Sequence, residues 1–182
     1  MKIFLILTTM IILNSCGTTS SYYILSNVQN TAVLKYINLS IGVEKVEVPK
    51  YLFKKELAIL SSNNQVKFRS DVQWAEDMDE ALTRRIIGSL QKKCQNPNIS
   101  SYPWGITKQP SIVLHINITK FIAHNGKVHL DATYRITKTK TAYTKAYIFN
   151  TQVTISDTQS SSIVSSMDSA IEKLINDIVM HI

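Results

Sequence analysis

The sequence predicts an α+β fold in which an antiparallel sheet carries two main amphipathic helices within a single domain. Two segments, starting near Asp77 and Ser162, repeat apolar residues at the spacing of a helix that buries one face. Three segments between Ile112 and Ile155 alternate apolar and polar residues, which is typical of strands with one buried face. Because strands come before and after the first helix, we expect both helices to pack on one antiparallel sheet.

The chain starts with a leader that predicts export. Lys2 is followed by an apolar run from Ile3 to Leu13, which has the length of a signal-peptide core and is too short to cross a bilayer. This run is followed by Cys16, with a leucine three residues before it and the small Ser15 directly before it. That pattern is a bacterial lipobox, in which the thiol takes a diacylglyceryl group and cleavage leaves an acylated N-terminus. We therefore expect lipid attachment at Cys16; a plain secretory signal with a chance cysteine is the alternative.

The 182 residues divide into three expected parts. Residues 1–15 form the signal peptide, residues 16–21 a short lipidated tether of small polar residues, and residues 22–182 the folded domain. The last part is long enough for one hydrophobic core and short for two. The net charge is +7, but the basic residues are dispersed and lack interleaved aromatics, so nucleic acid is not an expected partner.

Four short strands are expected before the first helix. Their ranges are 22–25, 41–48, 57–60 and 66–68. Pro49 ends the second strand because proline has no backbone donor, and the alternation slips near Glu44 and Lys45, which indicates a bulge or a change of face. The turn-rich link Ser62-Asn63-Asn64 predicts a hairpin between the third and fourth strands.

The two helices have recognisable limits. The first is expected to begin at Asp77, where Glu80 three residues later forms a capping-box pattern, and to end before Pro97. The second is expected from about Ser162 to Val179. The apolar stripes are Met78, Leu82, Ile86 and Leu90 in the first helix, and Ile163, Met167, Ala170, Ile171, Leu174 and Ile178 in the second.

A three-strand meander is expected between the helices. Its apolar positions alternate over residues 112–121, 128–136 and 143–155. Asn125-Gly126 is a strong turn signal between the first two strands. A strict two-residue loop would pair even with odd positions and place the two apolar faces on opposite sides, so we expect a three-residue loop from Asn125 to Lys127.

No group of residues predicts catalysis, a metal or a cofactor. With the expected loop, His124 and His129 point to opposite faces of the hairpin, while His115 and His181 lie elsewhere. No strained nucleophile motif of the type G-x-S-x-G and no phosphate-binding glycine loop is present. The carboxylates of residues 76–77 and 79–80 lie at a helix start, which favours capping and dipole interactions over acid–base chemistry.

Three further side chains have structural interpretations, with alternatives left open. Trp74 is expected to be a hydrophobic anchor for the start of the first helix, and Trp104 to lie at the edge of the core or to contact a partner. Cys94 has no second cysteine available once Cys16 is acylated, so we expect a structural thiol. A reactive or intermolecular role for Cys94 has no support from its sequence neighbours.

Three blocks in a fixed order carry a family resemblance. They are Val43–Leu52, Trp74–Leu90, and Leu114–Phe121 continued by Gly126–Leu130. Together with the lipobox and the early Tyr22-Tyr23-Ile24-Leu25, this ordered set resembles the ABC-type transport auxiliary lipoproteins.

The resemblance implies an outer-membrane lipoprotein that faces the periplasm and works with an MCE-domain transport system, which carries lipids between two membranes. It implies a noncatalytic role in which the domain docks a periplasmic MCE-domain protein, with Cys16 as the functional residue that carries over. Gly17 after the cysteine fits release toward the outer membrane. Three alternatives stay open: a domain that itself carries a lipid, an enzyme, and a homo-oligomer, which exposed strands would allow.

Overall fold

The computed structural model describes residues 20–25, 32–62, 64–104 and 109–182. Over these ranges the chain forms one sheet and two helices, which confirms the α+β class and the single domain. The strands are β1 (Ser21–Tyr23), β2 (Ile41–Val43), β3 (Glu56–Leu60), β4 (Val66–Trp74), β5 (Ile99–Ser101), β6 (Ile112–His124), β7 (Lys127–Lys138) and β8 (Tyr143–Thr154). The helices are α1 (Met78–Lys93), α2 (Ser160–His181) and a short 3-10 helix at Lys50–Phe53.

The long strands of the sheet are antiparallel and the short ones add in parallel. β6, β7 and β8 form the predicted meander, and β3 and β4 the predicted hairpin. β1 pairs in parallel with β4, and β2 lies in parallel between β5 and β6. β2 and β3 both run along one edge of β6, one near its start and the other near its end. The sheet is therefore mixed: its longer strands pair in antiparallel orientation, and the three-residue strands pair in parallel.

The segment predicted as a strand over 41–48 is interrupted where its alternation slips. Regular pairing stops at Val43 and returns as a single bridge between Glu47 and Asn117. The 3-10 helix after Pro49 then fills the gap before β3, and the Tyr51 hydroxyl accepts a hydrogen bond from the Phe121 amide at 2.8 Å. This contact satisfies the backbone N–H of Phe121, on the side of β6 that faces away from β7 and where no described strand pairs with Phe121.

The turn between β6 and β7 differs from the prediction. His124 pairs directly with Lys127, so the loop has two residues instead of three. Asn125 and Gly126 both have left-handed backbone angles, with φ of 47° and 71°. Two consecutive left-handed residues form a type I′ turn, whose twist matches that of the flanking strands.

A bulge in β6 restores the match between the two apolar faces. The residues on either side of Thr119 pair with consecutive residues of β7, Asp131 and Ala132, so Thr119 is an extra residue in its strand. The extra residue shifts the alternation by one, and Ile118 and Phe121 are both buried. The prediction of a three-residue loop was wrong because it assumed a regular β6.

The two helices cover one face of the sheet. α2 packs on β6, β7 and β8, whereas α1 packs on β5, on the 3-10 helix and on α2. The apolar helix side chains with no exposed surface are Leu82, Ile86, Leu90, Ala170, Ile171, Leu174, Ile175 and Ile178. Each large apolar side chain buried in this way contributes about 1.5–3 kcal/mol. Both predicted stripes are confirmed, and α2 extends slightly beyond its predicted range at both ends. Neither α1 nor α2 has the combination of length and hydropathy that a membrane-crossing helix requires.

Candidate functional site

The predicted lipid tether joins the described domain at β1. Tyr23 lies opposite Trp74 in the parallel pair of β1 and β4, and its carbonyl accepts a hydrogen bond from the Ala75 amide at 2.9 Å. Trp74 is buried, which confirms its expected role as an anchor before α1. Cys16 and the signal peptide lie outside the described residues, so lipid attachment at Cys16 stays a prediction.

The carboxylates at the start of α1 form ion pairs. The pairs are Glu76 with Arg84, Asp77 with Lys55, and Asp79 and Glu80 with Lys45. Asp77 is the N-cap residue, but its side chain makes no capping hydrogen bond. The predicted capping box is therefore wrong, because Lys55 at 3.0 Å draws the Asp77 carboxylate away from the helix.

His124 and His129 lie on the same face of the hairpin, contrary to prediction. Their ring centroids are 6.0 Å apart, because the two-residue turn and the bulge change the alternation near the loop. His124 Nδ1 donates to the Leu60 carbonyl at 2.9 Å. Burial lowers the pKa of His129, and the nearby Lys120 lowers it further. In the described ranges no three His, Cys, Asp or Glu side chains come together as metal ligands.

The other two histidines make structural contacts. His115 Nδ1 lies 2.8 Å from Glu44 Oε2, which ties the interrupted β2 segment to β6. His181 Nδ1 lies 2.8 Å from the hydroxyl of Tyr134, and that hydroxyl donates to Asp177 Oδ2 at 2.5 Å. Burial and the Asp177 carboxylate both raise the pKa of Tyr134. This contact holds the end of α2 to β7.

A buried ion network joins the two helices. Arg85 Nε lies 3.1 Å from Asp168 Oδ1, and its Nη2 lies 3.0 Å from Glu172 Oε2. Lys93 Nζ lies 2.6 Å from the other oxygen of Glu172. The side chains of Arg85 and Lys93 are each only 4% exposed. Sequence reasoning missed this network, although its acids lie four residues apart on one face of the second helix.

An open groove of about 580 Å³ lies between α1 and β5. Ile87 and Tyr102 give it apolar walls, and Lys45 and Arg84 line its rim. Both of these cations already form ion pairs with carboxylates near the start of α1. The groove is therefore partly apolar, and the charged residues described at its rim are paired with one another or with Asp79 and Glu76.

Trp104 and Cys94 have the places expected from the sequence. A Cβ at Gly42 would lie 2.7 Å from the Trp104 ring, so this indole packs directly on the backbone of β2 at the edge of the core. Its Nε1 donates to Gln109 Oε1 at 2.8 Å. Cys94 has no exposed surface, and burial raises the pKa of its thiol, which disfavours the reactive thiolate.

The model of one protein family matches residues 23–179, almost all of the described chain. This family is the ABC-type transport auxiliary lipoprotein component. The chain belongs to it. Membership confirms the resemblance of the three sequence blocks, and it identifies the protein as a transport auxiliary lipoprotein associated with a membrane of the cell envelope.

Solved structures support the same fold. An uncharacterised protein superposes with a TM-score of 0.72 at 18% identity, covering 90% of this chain and 98% of its own. A Xanthomonas campestris protein of the DUF330 family superposes with a TM-score of 0.73 at 9% identity, covering 87% of this chain and 92% of its own. At these identities the likeness concerns the fold alone. No curated protein matches the chain significantly.

Proposed function

We propose that the protein is a noncatalytic, membrane-anchored accessory lipoprotein of an MCE-type intermembrane lipid transport system, which docks the periplasmic component at the outer membrane. The observation that carries this proposal is the family match over 23–179, preceded by the lipobox that ends at Cys16. A membrane tether raises the local concentration of a docking domain, so even a weak contact with the partner becomes effective.

The tether constrains how the domain stands on the membrane. Cys16 lies five residues before Ser21, the first residue of β1. A fully extended chain of that length spans about 17 Å. The start of β1 therefore lies within that distance of the lipid surface, and the rest of the domain extends into the periplasm.

Lipid attachment can be tested with a matched pair of cysteine variants. We expect metabolic labelling with a palmitate analogue to mark the wild-type chain and Cys94→Ala, and to leave Cys16→Ala unmarked and released from membranes. Only the first cysteine occupies a lipobox, whereas Cys94 is enclosed in the core. Equal labelling of Cys16→Ala and wild type would contradict the anchor.

Partner capture tests the accessory role itself. Crosslinking in intact envelopes followed by purification of the full-length chain is expected to enrich an MCE-domain component, with both proteins in the outer-membrane fraction. The Cys16→Ala form serves as the control, because loss of the tether removes the local concentration effect. Capture that enriches no MCE-domain protein from wild-type envelopes would overturn the proposal.

A second candidate function is a lipoprotein that itself carries a lipid, and the α1–β5 groove is the observation that favours it. Its volume of about 580 Å³ is within the range of small-molecule sites. In the part of the chain that the structure describes, the apolar side chains between the helices and the sheet are buried against one another. Native mass spectrometry of the Cys16→Ala form would detect a retained lipid, and its absence would remove this candidate.

A further inference from the structure

We propose that the outer edge of β8 receives an extended, acidic segment of the periplasmic transport partner as an added strand. This inference rests on the proposed function, because it names the surface through which the accessory lipoprotein docks its partner. Strand addition gives affinity through main-chain hydrogen bonds and specificity through the side chains on either face.

β8 is the long free edge of the sheet. All twelve of its residues, Tyr143–Thr154, pair with β7 in continuous register, and no described residue pairs with its other side. The other edge strands, β1 and β5, have three residues each, and the stretch of β4 that β1 leaves uncovered, residues 66–71, carries three charged residues. Short edges offer little to a partner strand, whereas a regular edge of this length is a template for one.

This edge lacks most of the features that normally prevent strand addition. Its sequence contains no proline, its register contains no bulge, and Lys145 is its only charged residue. Ile148, at the middle of the strand, is 84% exposed. Proteins usually protect long edges with proline, bulges or inward charges, so a regular edge with a single charged residue indicates a surface that is covered when the protein works.

The ladder determines which backbone groups are free. Ile155 N donates to the Gly126 carbonyl at 2.9 Å, so Thr154 and Lys127 form a non-hydrogen-bonded pair. Alternation along an antiparallel ladder then directs the backbone N–H and C=O groups of every second residue away from β7. These residues are Thr144, Ala146, Ile148, Asn150, Gln152 and Thr154, and the carbonyl of Thr154 already accepts a hydrogen bond from Ser166 Oγ.

Charge identifies the occupant as acidic. Residues 132–156 contain four cationic side chains and no Asp or Glu; the cations are Arg135, Lys138, Lys140 and Lys145. None of them forms an ion pair with any residue in the described ranges. A second copy of this chain would bring four more cations to the edge against one acid, Asp131 opposite Asn150, so complementarity favours an acidic segment of a different protein.

The test places a photo-crosslinking amino acid at Ile148 of the full-length lipoprotein in its own envelope. We expect an adduct with the MCE-domain partner at Ile148 and none at Phe53, which is 58% exposed on the 3-10 helix. Adding Ala146→Pro removes one outward donor and leaves the ladder to β7 intact, because proline is tolerated where the N–H faces away from the neighbouring strand. The adduct is then expected to fall about tenfold, the effect of one lost hydrogen bond at an interface.

Two matched controls show whether a reduced adduct comes from a change at the β8 edge or from general destabilisation of the protein. Ala146→Val keeps the backbone donor and a strand-forming side chain, so its adduct yield is expected to equal that of wild type. Combined Lys138→Glu and Lys140→Glu is expected to reduce the adduct as Ala146→Pro does. The same reversal at the exposed Lys50 and Lys54 is expected to leave it unchanged. If Ala146→Pro fails to reach the membrane, the charge reversals decide the question.

The outcomes distinguish this inference from the proposed function. Two results would overturn docking at the β8 edge and leave the accessory role standing. In the first, the wild-type chain captures an MCE-domain partner but Ile148 gives no adduct. In the second, neither Ala146→Pro nor the charge reversals reduce the adduct. An Ile148 adduct formed only with a second copy of this chain also overturns the inference. Failure of the wild-type chain to capture any MCE-domain partner overturns both.

Discussion

Arg85 is buried between the two helices, where its guanidinium contacts two carboxylates of α2. A charge in such a place is costly unless it is paired, and removal of one partner leaves the others uncompensated. Asp168 and Glu172 keep some contact with solvent, at 22% and 30% exposure of their side chains, which moderates that cost. The network therefore specifies how α1 lies against α2.

Arg85→Ala is expected to lower the free energy of unfolding by about 3 kcal/mol, because it leaves the acidic residues of α2 facing a buried site. The neighbouring Arg84 provides a matched control, since its side chain is 63% exposed and pairs with Glu76 at the surface. Arg84→Ala is expected to cost less than about 1 kcal/mol. Chemical denaturation measures both, and equal losses would show that burial of Arg85 has no special effect.

Glu172 gives the same network a pH dependence. Burial alone would raise its pKa, but Lys93 and Arg85 outweigh burial and hold the pKa below the ordinary value of 4.5. The folded protein therefore binds this proton less readily than the unfolded chain. Stability from Glu172 is present above pH 4.5 and is lost as the pH falls through the lower pKa of the folded state.

We expect the denaturation midpoint of the wild type to fall more steeply below pH 4.5 than that of Glu172→Gln. Glu80→Gln, at an exposed carboxylate on α1, is expected to follow the wild-type curve. A Glu172→Gln curve with the wild-type slope would mean that this carboxylate is not held in its ionised form by its neighbours.

Among the secondary structure elements, the β6–β7 hairpin depends most on local backbone conformation. Its turn requires left-handed φ at Asn125 and Gly126, and its buried face is continuous only because Thr119 is bulged. Asparagine and glycine are the residues that adopt this conformation at low cost. The dipeptide thus sets the turn, while the bulge corrects the register of the strand before it.

Gly126→Val is expected to destabilise the protein by about 1–3 kcal/mol, because a β-branched residue is strained at a φ of 71°. Asn125→Gly keeps the left-handed conformation accessible and is expected to change stability by less than about 0.5 kcal/mol. Thermal unfolding of the two variants makes the comparison. A Gly126→Val protein as stable as Asn125→Gly would show that the turn can adopt another form.

At the scale of the whole molecule, a single sheet supports both helices and one connected core. α2 packs on the three long strands, and the buried residues of both helices belong to the same hydrophobic cluster as those of β6 and β7. Loss of either helix would therefore expose much of the sheet. Such a core predicts cooperative unfolding of the described domain.

We expect the loss of helical circular dichroism and the exposure of Trp74 to occur in one coincident transition. Leu174→Ala removes a fully buried side chain of α2 and is expected to lower that transition for both probes, at a cost of about 2–5 kcal/mol. Lys173→Ala changes an exposed neighbour and is expected to leave it nearly unchanged. Earlier melting of the helical signal would mean that α2 unfolds independently.

Local patterns predicted most of the individual elements. The stripes of both helices, the alternation of the meander and the break near Glu44 repeat over a few residues, and each repeat reports which side chains share a face. The prediction failed at Thr119: two polar residues in a row between Ile118 and Phe121 break the alternation, but the pattern alone does not tell whether a bulge or a longer turn restores the match. It failed also at Asp77, whose carboxylate pairs with Lys55 in the link just before β3.

By itself, the sequence determined the α+β class, the two helices and their buried faces, the meander, and the expectation of a lipid anchor at Cys16. Those features depend on residues that are close along the chain. Only the tertiary structure decided the parallel pairing of β2 with β5 and β6, the ion network of Arg85 with Asp168 and Glu172, and the free edge of β8. These depend on which distant segments meet, and local periodicity identifies a face without identifying its partner.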